Sequence, residues 1–153
     1  MRLAQVALVA HGSRDPAANA RVARLAGEVG VAHGFIQFGP PPPAAELYVP
    51  CFLFDGAHVR LDLPAGRRTA ILGSDPVMRE ILRDRVDADT RVVAEGRWWG
   101  AAEPRRIVPY MLFGGVLLHR LRREWRGRAE VLGPLCEDPR IAQAVRNRIR
   151  EAA

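Results

Sequence analysis

The sequence predicts an α/β fold made of two related lobes, each with a mainly parallel sheet flanked by helices. Three observations carry this expectation. Short apolar runs alternate with segments of helical period, the pattern of strands joined by crossover helices. Two helix starts share the same Asp-Pro signature, Asp75-Pro76 and Asp138-Pro139. An internal repeat ties the halves together: Val49-Pro50-Cys51-Phe52-Leu53-Phe54-Asp55-Gly56 returns as Val108-Pro109-Tyr110-Met111-Leu112-Phe113-Gly114-Gly115, with five of eight positions identical. The correspondence continues in order, Leu72-Gly73 with Leu132-Gly133, Asp75-Pro76 with Asp138-Pro139, and Arg83-Asp84-Arg85 with Arg146-Asn147-Arg148. The lobes then span 1–86 and 87–153, joined near Val86 to Thr90.

Taken in order, Ala4 to Ala10 is an apolar strand ending in a His-Gly turn. Asp15 caps a helix whose first residue is Pro16, with Val22, Leu25 and Val29 on its buried face. Phe35 to Phe38 and Tyr48 to Phe54 read as strands. Between them, Gly39-Pro40-Pro41-Pro42-Pro43 is too short for a crossover helix and reads as a stiff polyproline link. Thr69 to Leu72 is the next strand, and Asp75-Pro76 opens a helix carrying Val77, Ile81 and Leu82. In the second lobe Arg91 to Ala94, Ile107 to Phe113 and Ala129 to Leu132 read as strands. Val116 to Trp125 reads as a helix, and a last one after Pro139 carries Ile141, Val145 and Ile149. The second lobe is trimmed where the first is, at Trp98-Trp99-Gly100-Ala101-Ala102-Glu103-Pro104, and it lacks a first strand and helix of its own.

Composition narrows the function classes. The chain has 153 residues, 48% hydrophobic and 26% charged, which suits a packed globular domain. No apolar run is long enough for a membrane helix. The opening run to His11 is too brief for a secretion signal, so a cytoplasmic protein is expected. Cys51 and Cys136 form neither a disulfide framework nor a zinc knuckle. All of the basic residues are Arg, and the net charge is +6. That charge suits an anionic small molecule; no nucleic-acid motif accompanies it, and dispersed charge is most often solvated surface.

Ligands of open α/β sheets bind beyond the carboxyl ends of the strands. His11 follows the first strand and His58 follows the strand containing Phe52-Leu53-Phe54. Two neutral imidazoles with a carboxylate suit a borderline divalent ion such as cobalt, iron, nickel or zinc, and an imidazole can also accept a proton. By spacing alone, a single histidine after a strand is more often a structural hydrogen-bonding residue. His119 reads as an exposed helix residue, His33 as a loop residue before a strand, and Cys51 as a small core residue.

The segments LVAHGSRDPAANA, VPCFLFDGAHVRLDLP and the later LG with DP…R…R resemble the sirohydrochlorin chelatases, the small class II tetrapyrrole chelatases of cobalamin and siroheme biosynthesis. VPYMLFGGVLLHRL is similar to the second half of the two-repeat form of that family. The resemblance implies a chelatase-like fold. His11 and His58 would hold the metal and take protons from the pyrrole nitrogens, with Co2+ or Fe2+ inserted as substrate without a nucleotide. An anionic tetrapyrrole is the implied partner, with no nucleic acid or membrane, for a monomer or homodimer. Where the family has an acidic residue on the second strand, this chain has Gln37. Glu95, at the end of a second-lobe strand, is the acid expected to complete the site; a surface Glu at a strand end is the alternative. Ser13 and Arg14 are expected to bind a substrate carboxylate in an Arg-lined cleft, and Trp98 and Trp99 to cover the flat ring from a loop. The second lobe has Leu117 at the position of His58, so one metal site is expected. A non-catalytic tetrapyrrole or metal carrier of the same fold is the competing reading.

Overall fold

The computed structural model describes residues 2–56 and 61–153. The expected His58 site residue lies outside the described residues. Two four-stranded sheets divide the chain. The first contains β1 (Val6–Ala10), β2 (Ala32–Phe35), β3 (Leu47–Pro50) and β4 (Arg67–Arg68), in the order β2-β1-β3-β4 and parallel throughout. The second contains β5 (Thr90–Ala94), β6 (Arg97–Gly100), β7 (Arg106–Pro109) and β8 (Glu130–Val131), in the order β6-β5-β7-β8, parallel except for the antiparallel β5–β6 pair. The helices are α1 (Pro16–Val29), α2 (Val77–Arg85), α3 (Val116–Glu124) and α4 (Pro139–Ala152).

Local chemistry explains the helix starts. The Asp15 carboxylate accepts from the Ala17 N–H at 3.1 Å, and Asp138 accepts from Arg140 N–H at 2.9 Å, each with Pro at the first helical position. Asp75 likewise accepts from Val77 N–H at 2.9 Å. α1 ends at Gly30 in the left-handed conformation, φ +83°.

β1 is buried on both faces, as a central parallel strand must be. Val6, Leu8 and Ala10 belong to one large core with Val22, Leu25 and Val29 of α1, Met78 and Ile81 of α2, and Ile141, Val145 and Ile149 of α4. Ala7, Val9 and Tyr48 pack with Ala32, Ile36, Ala45 and Leu63. The sheets divide between 86 and 87, but the core does not. α4 packs against α1, α2 and β3 of the first half. Each fully buried aliphatic side chain there stabilises the joint core by ~1.5–3 kcal/mol.

The repeat is a structural one. Val9 is registered with Pro50 as Val93 is with Pro109, and the Cys51 N–H to Val9 O bond (2.8 Å) matches Tyr110 N–H to Val93 O (2.8 Å). Thr69 N–H to Tyr48 O matches Leu132 N–H to Ile107 O. That equivalence corrects the expected pairing of Leu72-Gly73 with Leu132-Gly133. Leu72 matches Leu135 instead, each opening a 3-10 turn that runs into a capping Asp.

Other expectations change as well. Two strands differ from the reading: the one expected at Phe35 to Phe38 lies three residues earlier, at Ala32–Phe35, and the one expected at Tyr48 to Phe54 is shorter, at Leu47–Pro50, each set by its register with β1. His33 is therefore a strand residue, registered with Leu8. The second lobe does have its first strand, β5, but no helix follows it. A two-residue turn of Glu95 and Gly96 (φ +76°) returns the chain as β6. Trp98 and Trp99 are thus residues of an edge strand, not of a loop. Among the described residues, no helix is long and apolar enough to cross a membrane.

Candidate functional site

A cavity of about 320 Å³ opens between the lobes at the carboxyl ends of β1, β3, β5 and β7. The first lobe lines it with His11 and Ser13 after β1 and with Cys51 to Phe54 after β3. The second contributes Glu95 and the segment Tyr110 to Gly114, with Leu117 of α3 beside them. Because Val9 and Val93 are equivalent, His11 and Glu95 are too: each follows its valine by two residues, at the exit of the central strand of its sheet. His11 and Glu95 therefore line one cavity from equivalent positions, His11 partly buried and Glu95 exposed in the turn that follows β5. Leu117, which answers His58 in the repeat, contributes an apolar wall.

The His11 ring is held from both nitrogens. Nδ1 lies 3.1 Å from the Gly12 carbonyl, which can only accept, so the neutral ring carries its proton there. Nε2 then accepts from the Gln37 amide at 2.8 Å. In this tautomer Nε2 is the basic nitrogen of the ring, and its lone pair is engaged by the uncharged Gln37 amide. Gly12 allows the close approach. Its φ is +92°, and a Cβ there would fall 1.7 Å from the Gln37 carbonyl oxygen.

Ser13 and Arg14 occupy different surroundings. Ser13 lines the cavity, and its Oγ accepts from Asp15 N–H at 3.0 Å. Arg14 faces a neighbouring open cleft of about 530 Å³, which shares Ser13 and Asn19 with the cavity; its guanidinium lies 5.1 Å from the Phe38 ring centre. Among the described residues, no arginine lines the principal cavity. The described lining of the cavity is largely apolar, and Arg14 lies at the neighbouring cleft. Trp98 and Trp99 do not line the cavity either. Alternation along β6 sends Trp98 to the Arg91 guanidinium at 3.7 Å, on the face that also carries Trp125. Trp99 points the other way, edge-on to Tyr110 at 6.5 Å, and Tyr110 meets Phe54 at 5.6 Å.

Sequence reasoning missed three contributors. Asn19 clasps the site: its Oδ1 accepts from Ser13 N–H (2.9 Å), and its Nδ2 donates to the Ser13 and Phe38 carbonyls (3.0 and 2.9 Å). A polar residue beside Ala18 and Val22 on an otherwise apolar helix face was the available signal. Tyr110 replaces Cys51 in the repeat, and desolvation raises its phenol pKa. Phe54 is 57% exposed at the rim. Cys51 is a buried core residue that also borders the cavity, and desolvation pushes its thiol up to about 12, so it is neither a thiolate ligand nor a nucleophile near neutrality.

A seam beside the cavity holds the lobes in place. Arg21 donates to the Phe113 carbonyl at 2.9 Å, and His119, exposed on α3, meets the Asp15 carboxylate at 2.9 Å. Among the described residues, no group of three His, Cys, Asp or Glu side chains gathers to hold an ion. No protein-family model, curated protein or solved structure matches the chain.

Proposed function

We propose that this chain is a chelatase of the class II tetrapyrrole type, inserting Co2+ or Fe2+ into a sirohydrochlorin-like ring in cobalamin or siroheme biosynthesis. The observation that carries the reading is the placement of His11 and Glu95 at equivalent strand ends facing one cavity. The sequence resemblance supports the ring as substrate and adds His58 as the second imidazole. Insertion exchanges one divalent ion for two pyrrole protons, so the site must present a cation and accept protons. His11 Nε2 takes a pyrrole proton in exchange for the hydrogen bond it accepts from Gln37, and the Glu95 carboxylate attracts the ion and passes protons to solvent. Part of the macrocycle occupies the apolar cavity, with the Phe54, Tyr110 and Trp99 row at its rim. A peripheral carboxylate reaches Ser13 and, in the adjoining cleft, Arg14. The binding is asymmetric, with one metal per chain.

The test follows the visible spectrum of sirohydrochlorin with Co2+ or Fe2+, with and without the protein. Insertion faster than the spontaneous rate is expected, falling by ~10²-fold or more in His11→Ala, His58→Ala and Glu95→Gln. A rate equal to the spontaneous one refutes the enzyme reading; if the tetrapyrrole still binds tightly, the protein is a carrier.

A further inference from the structure

We infer that two copies of this chain pair through β6, edge to edge about a two-fold axis at Trp99, joining their second sheets into one eight-stranded sheet. The inference rests on the β5–β6 hairpin and is independent of the chelatase reading. Ala101 N–H donates to Thr90 O at 2.9 Å, and the register pairs Val92 with Trp99 and Ala94 with Arg97 across a two-residue turn. In an antiparallel ladder these are the hydrogen-bonded pairs, so the N–H and C=O of Trp98 and Gly100 point away from β5. β6 ends the sheet order, and among the described residues no strand pairs with that outer side.

This edge is self-complementary. Placed antiparallel to its own copy, Trp98 exchanges both backbone bonds with the partner's Gly100, and Gly100 with the partner's Trp98. Trp99 then lies opposite the partner's Trp99 in the non-hydrogen-bonded position, where side chains approach most closely. Trp98 and Trp99 are 52% and 43% exposed in the single chain, a large aromatic surface for four consecutive edge residues. The strand is also preorganised: Arg91, stacked on Trp98, donates to the carbonyls of Ala101 and Ala102 at 3.0 and 2.5 Å.

The first lobe shows what a protected edge looks like in the same molecule. At β2, the equivalent edge, the Phe35 N–H is taken by the Pro40 carbonyl at 2.9 Å, and the chain of prolines that follows offers no donor to a stranger. Among the described residues, β6 has no such strap.

Sedimentation equilibrium of the full chain at tens of micromolar tests the inference. The expected mass is twice 16.9 kDa. Trp99→Glu and Trp99→Arg, each placing like charges on the axis, are expected to run as single chains. An equimolar mixture of the two is expected to recover the two-chain mass as a heterodimer, since only residue 99 meeting itself makes that rescue possible. A wild-type chain that stays single overturns the inference, as does a charged variant that pairs by itself or a mixture that does not pair. Should the charged variants lose their helical circular dichroism, Trp99→Cys decides. Mild oxidation must give a disulfide-linked pair, as Cα atoms about 4.5 Å apart allow, and a folded variant that fails to cross-link rejects the pairing.

Discussion

Replacing Gly12 by Ala tests how the candidate site is held. A methyl group at Gly12 would sit 1.7 Å from the Gln37 carbonyl oxygen, where ordinary contact begins at 3.4 Å. The segment after β2 must therefore retreat by roughly 1.5 Å, enough to break the Gln37 N–H to His11 O bond of 3.0 Å. Losing that bond costs about 1 kcal/mol, and forcing φ +92° on an L-residue costs a further ~1–3 kcal/mol. Together the loss is about 3 kcal/mol. With a urea slope of about 2 kcal/mol/M for a chain of this size, the unfolding midpoint should fall by ~1.5 M. The control is Gly27→Ala, an exposed position within α1 where an added Cβ meets nothing within 4 Å; it should raise stability by ~0.5–1 kcal/mol. Urea unfolding followed by circular dichroism reads both. A Gly12→Ala chain within ~0.5 kcal/mol of wild type would refute the close approach that positions His11 and Gln37.

Further outcomes follow from the same structure. The Cys51 thiol is raised from 9.0 to about 12 when folded, so the unfolded chain ionises first and stability should fall as pH climbs from 9 towards 12; Cys51→Ala should flatten that fall, read by urea midpoints across the range. Neither Cys51 nor Cys136, whose thiol burial pushes up to about 11, should react with a thiol reagent at pH 8 while the chain is native. Asp138 is held below the usual carboxylate range by its hydrogen bond from Arg140, so its contribution is present above about pH 4 and lost as pH falls through the folded value. Asp138→Asn should blunt that acid loss, and Asp138→Ala should cost about 1 kcal/mol at neutral pH through the lost cap. If Asn19 clasps the site, Asn19→Ala should raise the exchange rate of the Ser13 amide, measured by NMR.

What was legible in the sequence was what local chemistry decides. Asp15-Pro16 and Asp138-Pro139 name their helices because an N-cap needs only its own next residues. The α/β class and the two sheets followed from alternation and repeat. Strand ends were not legible, because a parallel strand stops where its neighbour stops, and that neighbour is distant in sequence. The Leu-Gly identity misled the alignment, since Leu132 does the backbone work of Thr69 while the buried position of Leu72 passed to Leu135. His11, Ser13 and Glu95 were legible as cavity residues from strand-end placement; Asn19 was not, because its partners lie across a turn and in another loop.

The turn at Glu95-Gly96 ties these findings together. Two residues cannot carry a chain back to the start of a parallel strand, so removing the helix between β5 and β6 forces β6 to run antiparallel. That single change has two consequences. Glu95, equivalent to His11, becomes the turn residue itself, lining the cavity without a helix behind it. In the first lobe the same exit leads into α1, whose amino end is capped by Asp15 and whose Asn19 ties the loop down. The cavity is therefore uneven by construction, with an exposed turn residue on one wall and a loop tied to a capped helix on the other. The same replacement brings Trp98 and Trp99 to the outer edge with outward backbone groups and no proline strap. An asymmetric site and an open, self-complementary edge are then two results of one missing helix. Restoring a crossover helix between β5 and β6 should abolish both together.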